Sequence, residues 1–206
     1  LEVLNLLTAS QLRRKRRDAT WFKWIKRHEL YKKKLAGVLK KYFSRERERV
    51  LTTLNRVTLR AAEIPEEPIT GAQLFELEFQ LQHELEDNND DWEETLLLLL
   101  LLIAANFTNL TVYELDFALD DLEQTTDIST PTPIPVKTES WTRDFIQAAL
   151  ALIAATTLKR IISTIQDARE KQLSVPATIT RINEAYEKFI KNRAPGIASD
   201  LVGKVA

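Results

Sequence analysis

Five consecutive cations, Arg13, Arg14, Lys15, Arg16 and Arg17, open a stretch whose side chains could neutralise phosphates. Aromatic residues alternate with further cations just beyond, in Trp21-Phe22-Lys23-Trp24-Ile25-Lys26-Arg27. Flat rings beside ammonium and guanidinium groups suit stacking on bases while the charges follow a nucleic-acid backbone. Lys32, Lys33, Lys34, Lys40 and Lys41 extend the block. These cations are the candidate contacts to DNA or to an acidic protein partner. The plainer reading puts the aromatics in a core and the lysines on the wet face of an amphipathic helix.

Other chemistry finds no support in the residues. The absence of cysteine excludes disulfide scaffolds, Cys-ligated zinc, iron–sulfur clusters and a cysteine nucleophile. His28 and His83 fall in segments of opposite charge and in no metal-ligand spacing, and His28 reads as a packed histidine on an aromatic face. The chain has neither a glycine-rich phosphate loop nor a GxSxG elbow. Asp87, Asp90, Asp91, Glu93 and Glu94 lack the order and the glycine of an EF-hand, so they read as a solvated helix start. Asn106-Phe107-Thr108 and Asn109-Leu110-Thr111 match the glycosylation sequon, a short pattern that recurs by chance. No residue is assigned to catalysis, a cofactor or a metal, and the chain reads as a non-enzyme.

Charge is sorted along the chain in a way that the net value of −1 conceals. Residues 1–60 hold 18 Lys and Arg against 5 Asp and Glu, residues 61–142 hold 1 against 19, and residues 143–206 hold 10 against 6. A basic arm followed by an acidic one either faces a polyanion or pairs with its own other half. The 206 residues are 44% apolar with only 4 Gly and 7 Pro, which favours helices with a buried core over a turn-rich β fold. Without a methionine even at position 1, the chain is expected to begin inside a longer product or after processing. Leu96 to Ala105 is too short and too closely flanked by polar residues to cross a membrane, which needs about 20 apolar residues, and it reads as a core helix.

Periodicity supplies the elements that would carry the cations. Trp21, Trp24, Tyr31, Leu35, Val38, Tyr42, Phe43, Val50, Leu54, Val57 and Ala61 step by threes and fours, which predicts one long helix behind the five-cation leader. Such a rod, about 60 Å at 1.5 Å per residue, outruns a small domain and must lie on another element or subunit. Pro65 and Pro68 end it. Leu74 to Leu85 favours helix, Asp87-Asn88-Asn89-Asp90 a break, and Trp92 onward a helix through the leucine run that ends between Asn106 and Thr111. A shorter acidic helix is expected over Tyr113 to Leu122, then an extended tether with Pro131, Pro133 and Pro135. Trp141 to about Gln172 reads as a helix with Trp141, Phe145, Ala148, Leu152, Ala155, Ile162 and Ile165 on its inner face. Ser174 and Pro176 look like the cap and first turn of a last helix, with Ile179, Ile182, Tyr186 and Phe189 inward and Pro195-Gly196 as its stop. The expected fold is mainly α: a long amphipathic N-terminal helix, then a helical bundle with extended proline-rich linkers. Its segments are 1–64 (basic leader and long helix), 65–137 (acidic region with the leucine helix and linker) and 138–206 (C-terminal helical hairpin).

Two stretches resemble the head-morphogenesis family of minor head proteins of tailed phages, similar to Mu protein F and also found fused to portal proteins. The first runs from Trp24 to Leu54 through Glu29-Leu30-Tyr31-Lys32-Lys33-Lys34-Leu35, Leu39-Lys40-Lys41-Tyr42-Phe43 and Arg49-Val50-Leu51. The second is Ala154-Ala155-Thr156-Thr157-Leu158-Lys159-Arg160-Ile161-Ile162, Gln172-Leu173-Ser174, then Ile179-Thr180-Arg181-Ile182 and Phe189. Ile197-Ala198 matches the start of the family's closing stretch, and Ser199-Asp200-Leu201 departs from the rest of it. The resemblance implies a structural virion protein inside the capsid near the portal vertex, present in the host cytoplasm during assembly. Its partners would be the portal protein, other copies of itself and packaged double-stranded DNA, with no membrane, catalytic residue or cofactor. The alternative is a helical scaffold or adaptor that assembles through basic–acidic helix contacts without nucleic acid.

Overall fold

The computed structural model describes the backbone of residues 9–61, 67–120 and 136–205 and the side chains of residues 14–15, 17–58, 67–108 and 140–205. Among these residues all regular structure is helical, so the chain is mainly α. The first helix, α1 (Ala9–Ala61), is 53 residues long, and the five-cation leader expected ahead of it forms its first turns. Arg, Lys, Leu and Ala are good helix formers, and nothing in that leader breaks the run. Tyr31, Leu35, Leu39, Tyr42, Phe43, Val50, Leu54 and Val57 are buried along one side of α1, whereas Trp21 is exposed.

A reciprocal cap starts α2 (Gly71–Asp120): the Thr70 N–H donates to Gln73 Oε1 at 2.8 Å, and the Gln73 N–H donates to Thr70 Oγ1 at 3.3 Å. The helix passes unbroken through Asp87-Asn88-Asn89-Asp90, contrary to the expected break. Tertiary partners outweigh the local turn preference of these residues: Asn88 is buried, and the Tyr42 hydroxyl donates to Asn89 Oδ1 at 2.8 Å. Nor does the helix stop between Asn106 and Thr111 to make way for a separate acidic one. The Asn106 amide and Thr108 hydroxyl donate to the carbonyls of Leu102 and Ala104, at 2.8 and 2.9 Å, so neither competes for the chain direction. The leucine run is only partly core: Leu96, Leu97, Leu100 and Ile103 are buried, while Leu98 and Leu102 face outward. Pro65, Pro131, Pro133 and Pro135 lie outside the described residues.

The inner face of α3 (Val136–Glu170) is the expected one at Ile162 and Ile165 and a different one before them. Ile146, Leu150, Ile153, Ala154, Thr157, Ile161, Ile162, Ile165 and Ala168 are buried, but Trp141, Ala148, Leu152 and Ala155 lie outside. The helix is apolar on both sides, so periodicity alone could not choose between them. Ser140–Glu170 is long and apolar enough to cross a membrane by length and composition. At its end, Leu173 N–H reaches back to the Ala168 carbonyl at 2.9 Å around Gln172, whose φ of 55° is left-handed.

Ser174 caps α4 (Val175–Lys188) as predicted, accepting from the Ala177 N–H at 3.5 Å, with Pro176 in the first turn. Pro195-Gly196 does not stop the chain. A π-helical turn, Phe189–Arg193, widens the spiral, and the Ala194 N–H bonds to the Phe189 carbonyl five residues back. The helix then resumes as α5 (Ala194–Val205), with Pro195 in its first turn, where a missing N–H costs least.

The helices alternate in direction. Trp24 of α1 meets Phe107 near the far end of α2, while Arg56 meets Glu84. Arg143 of α3 meets Glu93. Asp167 of α3 pairs with Arg181 of α4, and Thr157 with Arg193. Arg47 of α1 pairs with Glu187, and Phe43 meets Phe189. The path is an up-down-up-down bundle in which α1 and α3 lie on opposite corners and α4 and α5 together form the fourth rod. One apolar core draws on all of them. Because Gln172 holds a left-handed conformation without glycine's freedom, Gln172→Gly is expected to stabilise the fold by about 0.5–1 kcal/mol in a urea titration.

Candidate polyanion-binding face of the first helix

Packing decides which cations of α1 are available. Lys26-Arg27, Lys33-Lys34 and Lys40-Lys41 recur at seven-residue intervals, each doublet ahead of His28, Leu35 or Tyr42 on the packed side. Seven residues are nearly two turns, so the doublets stack on one face with a rise of about 10 Å between them. All six, with Lys23, are exposed on the side away from the core. Among the described residues no ion pair reaches any of the seven; Lys34 Nζ lies 5.7 Å from the centre of the Tyr31 ring.

The other candidates divide. Arg14, Lys15 and Arg17 are exposed on the first turns of α1, and the side chains of Arg13 and Arg16 lie outside the described residues. Lys32 leaves the group, because it is half-buried and donates to Glu29 at 3.1 Å. That bond holds the Glu29 carboxyl below its ordinary pKa.

Farther along α1 the cations are arginines, and Arg45, Arg47, Arg49 and Arg56 are engaged. The Asp91 carboxylate receives Arg45 at 2.8 Å and Arg49 at 2.5 Å. Glu84 receives Arg49 at 3.8 Å and Arg56 at 3.5 Å. Of the acidic residues read as a solvated helix start, Asp87 and Asp90 are exposed, while Asp91, Glu93 and Glu94 are mid-helix partners for neighbouring rods, with Glu93 and Glu94 taking Arg143 of α3. No group of three or more His, Cys, Asp or Glu among the described residues is arranged for a metal ion. A planar guanidinium suits these shared, directional contacts, whereas an ammonium on a flexible stem suits a mobile charged surface.

The aromatics between the basic residues are only partly free to stack. Trp24 is sandwiched between Trp21 and His28, with ring centroids at 5.2 and 4.8 Å, and it also touches Phe107 at 5.5 Å. His28 is thus a packed histidine, and burial followed by the nearby Lys32 lowers its pKa. Phe22 and the outer face of Trp21 remain open to solvent.

A buried polar knot behind this face went unread in the sequence. Glu46 follows Tyr42 and precedes Val50 at four-residue steps, an acid on the buried stripe, and that spacing was its signal. Its Oε1 accepts from the Tyr186 hydroxyl at 3.1 Å. Oε2, the Asn88 amide and Trp92 Nε1 are buried and find no hydrogen-bond partner among the described residues. Arg193, from the π turn, stands over the Phe43 and Phe189 rings at 5.6 and 5.4 Å and donates to Thr157 at 2.7 Å, to Thr156 and to the Ile153 carbonyl at 3.3 Å. Loss of water pushes the Glu46 carboxyl up to about 7, against the opposing pull of the tyrosine hydroxyls and of Arg193. The knot ties α1 to α4 and the π turn.

Comparison with family models, with curated proteins and with solved structures returns no match to the chain.

Unfolding exposes Glu46 to water and returns its pKa to the ordinary value of 4.5. Between that value and about 7 the unfolded chain releases the proton and the folded one keeps it, so the contribution of this group to stability falls as pH rises. The full difference is on the order of 3 kcal/mol. Urea midpoints of wild type and Glu46→Gln at about pH 4.5 and about pH 7.5 should show the wild type losing stability with pH and the variant losing less by roughly that amount.

Proposed function

We propose that this chain is a structural protein without catalysis that holds double-stranded DNA by its phosphates along the outer face of its long amphipathic first helix. The observation that carries the reading is the row Lys23, Lys26, Arg27, Lys33, Lys34, Lys40 and Lys41, exposed opposite the core and paired with no carboxylate among the described residues. Seven cations over about 27 Å match a polyanionic backbone in charge and length, and lysine-rich contact of this kind carries no base preference. Arg14, Lys15 and Arg17 would extend the track.

In the setting implied by the phage minor-head resemblance, the chain, a bundle with extended proline-rich linkers, works inside the capsid at the portal vertex, beside packaged DNA. The portal protein and other copies of the chain are its protein partners, and no membrane is involved. A specific observation also favours the second reading, a scaffold built on basic–acidic helix contacts without nucleic acid: Arg45, Arg49 and Arg56 already clasp Asp91 and Glu84 within the chain.

Fluorescence anisotropy of a labelled duplex across a salt series separates the two. The DNA reading expects affinity that falls steeply with salt, and replacement of Lys33, Lys34, Lys40 and Lys41 by Gln should flatten the log–log slope by about 0.9 for each phosphate that is no longer neutralised. The scaffold reading expects no DNA affinity at low salt and self-association that weakens as salt rises.

A further inference from the structure

Opposite α1, the bundle carries a second surface of different character. Trp141, Phe145, Ala148, Leu152 and Ala155 follow one another on α3 at steps of four and three, the spacing of a coiled-coil seam, and Lys159 continues it. This seam is outside the core: Trp141 is 51% and Leu152 65% exposed, Ala148 and Ala155 are exposed, and Phe145 is half-buried beneath Lys204. Beside it a groove of about 670 Å³ runs between α2 and α3, floored by Leu85, Ala151, Ala154, Leu158 and Ile162 and walled by Glu86. A helix that already satisfies the core with its other side gains nothing within its own chain from a second apolar face.

We infer that this face is the contact by which two copies of the chain pair, α3 lying antiparallel against α3 of a second copy about a two-fold axis near Leu150. The order of side-chain sizes selects this occupant. About that axis Ala148 lies opposite Leu152 of the second copy, and Phe145 lies opposite its Ala155, so each bulky residue meets a small one on both sides of the axis. The alanines let two helices approach to about 8 Å. Charge agrees with size. Trp141 lies opposite Lys159 of the second copy, an exposed ammonium that no ion pair reaches among the described residues. Arg143 fixes the same level of α3 beside Glu94, whose side chain is 63% exposed, so an arriving Lys159 meets both an aromatic face and a carboxylate. Because α1 and α3 occupy opposite corners, pairing through α3 leaves both basic faces outward.

The test uses the full chain. Sedimentation velocity over a concentration series should show wild type moving from monomer to dimer and no further, and Leu152→Glu should weaken that step roughly 30-fold or more, the loss expected of a central anchor. The native chain has no cysteine, so Ala151→Cys introduces a single thiol near the axis. Mild oxidation should link this variant into a covalent dimer, whereas Lys34→Cys on the opposite corner should not link. A chain that stays monomeric at every concentration, or a dimer that Leu152→Glu leaves unchanged with circular dichroism intact, overturns the assignment. So does co-sedimentation of monomeric wild type with neutral phosphatidylcholine vesicles, which would give the face to a lipid surface.

Discussion

Tyr42 is clasped between helices, and the exposed surface of α1 follows from that clasp. Its hydroxyl reaches Asn89 at 2.8 Å and its ring meets Trp92 edge-on at 6.2 Å, while Glu46, one turn later, takes the Tyr186 hydroxyl. These contacts fix the rotation of α1 about its axis and its register against α2 and α4. Turning the helix by one residue, about 100°, would carry the lysine doublets toward the core, where an unpaired ammonium costs several kcal/mol. The outward cation row is therefore a consequence of packing on the other side of the same helix. Phe43, Leu35, Leu39 and Leu54, all fully buried, supply most of the free energy that holds that rotation.

The polar contacts play a smaller energetic part and a larger directional one. Arg45, Arg49 and Arg56 pair with Asp91 and Glu84 at partly exposed positions, where each pair contributes about 0.2–1 kcal/mol. What they decide is use: Asp91 and Glu84 of α2 engage Arg45, Arg49 and Arg56 and leave the earlier row from Lys23 to Lys41 without a carboxylate partner among the described residues, Lys32 excepted. The opposing charge blocks of the sequence serve two ends, internal pairing beyond Arg45 and an open surface before it. Glu46 departs from both, since its burial outweighs the opposing pull of Arg193 and two tyrosines and keeps it protonated up to about pH 7, above the value of 4.5 at which a surface glutamate becomes charged.

Where a side chain had one plausible environment, the sequence was readable. The stripe from Tyr31 to Val57 follows from periodicity, except that Leu39 is fully buried where Val38 is expected, and the cap at Ser174 and the inward Ile182, Tyr186 and Phe189 follow from capping chemistry and periodicity. Misreadings arose where tertiary partners override a local preference. Asp87-Asn88-Asn89-Asp90 has the composition of a turn, yet Tyr42, Arg45 and Arg49 hold its neighbourhood helical. Pro195 normally ends a helix, but the preceding π turn disposes of its missing donor. The faces of α3 could not be ranked because both are apolar. Of the candidate site, the lysine doublets were visible in the sequence, whereas the pairing of Lys32 with Glu29 and the stacking of Trp24 on His28 required the packed helix.

Whether the cation row of α1 holds DNA is decided by amine-reactive labelling of the full chain, read residue by residue by mass spectrometry with and without duplex DNA. DNA is expected to shield Lys23, Lys26, Lys33, Lys34, Lys40 and Lys41 together and to leave the reactivity of Lys159 on the opposite corner unchanged, and high salt should abolish the shielding. Equal reactivity of the doublets in the presence and absence of DNA, or shielding centred on α3, would contradict the assignment of this face to DNA.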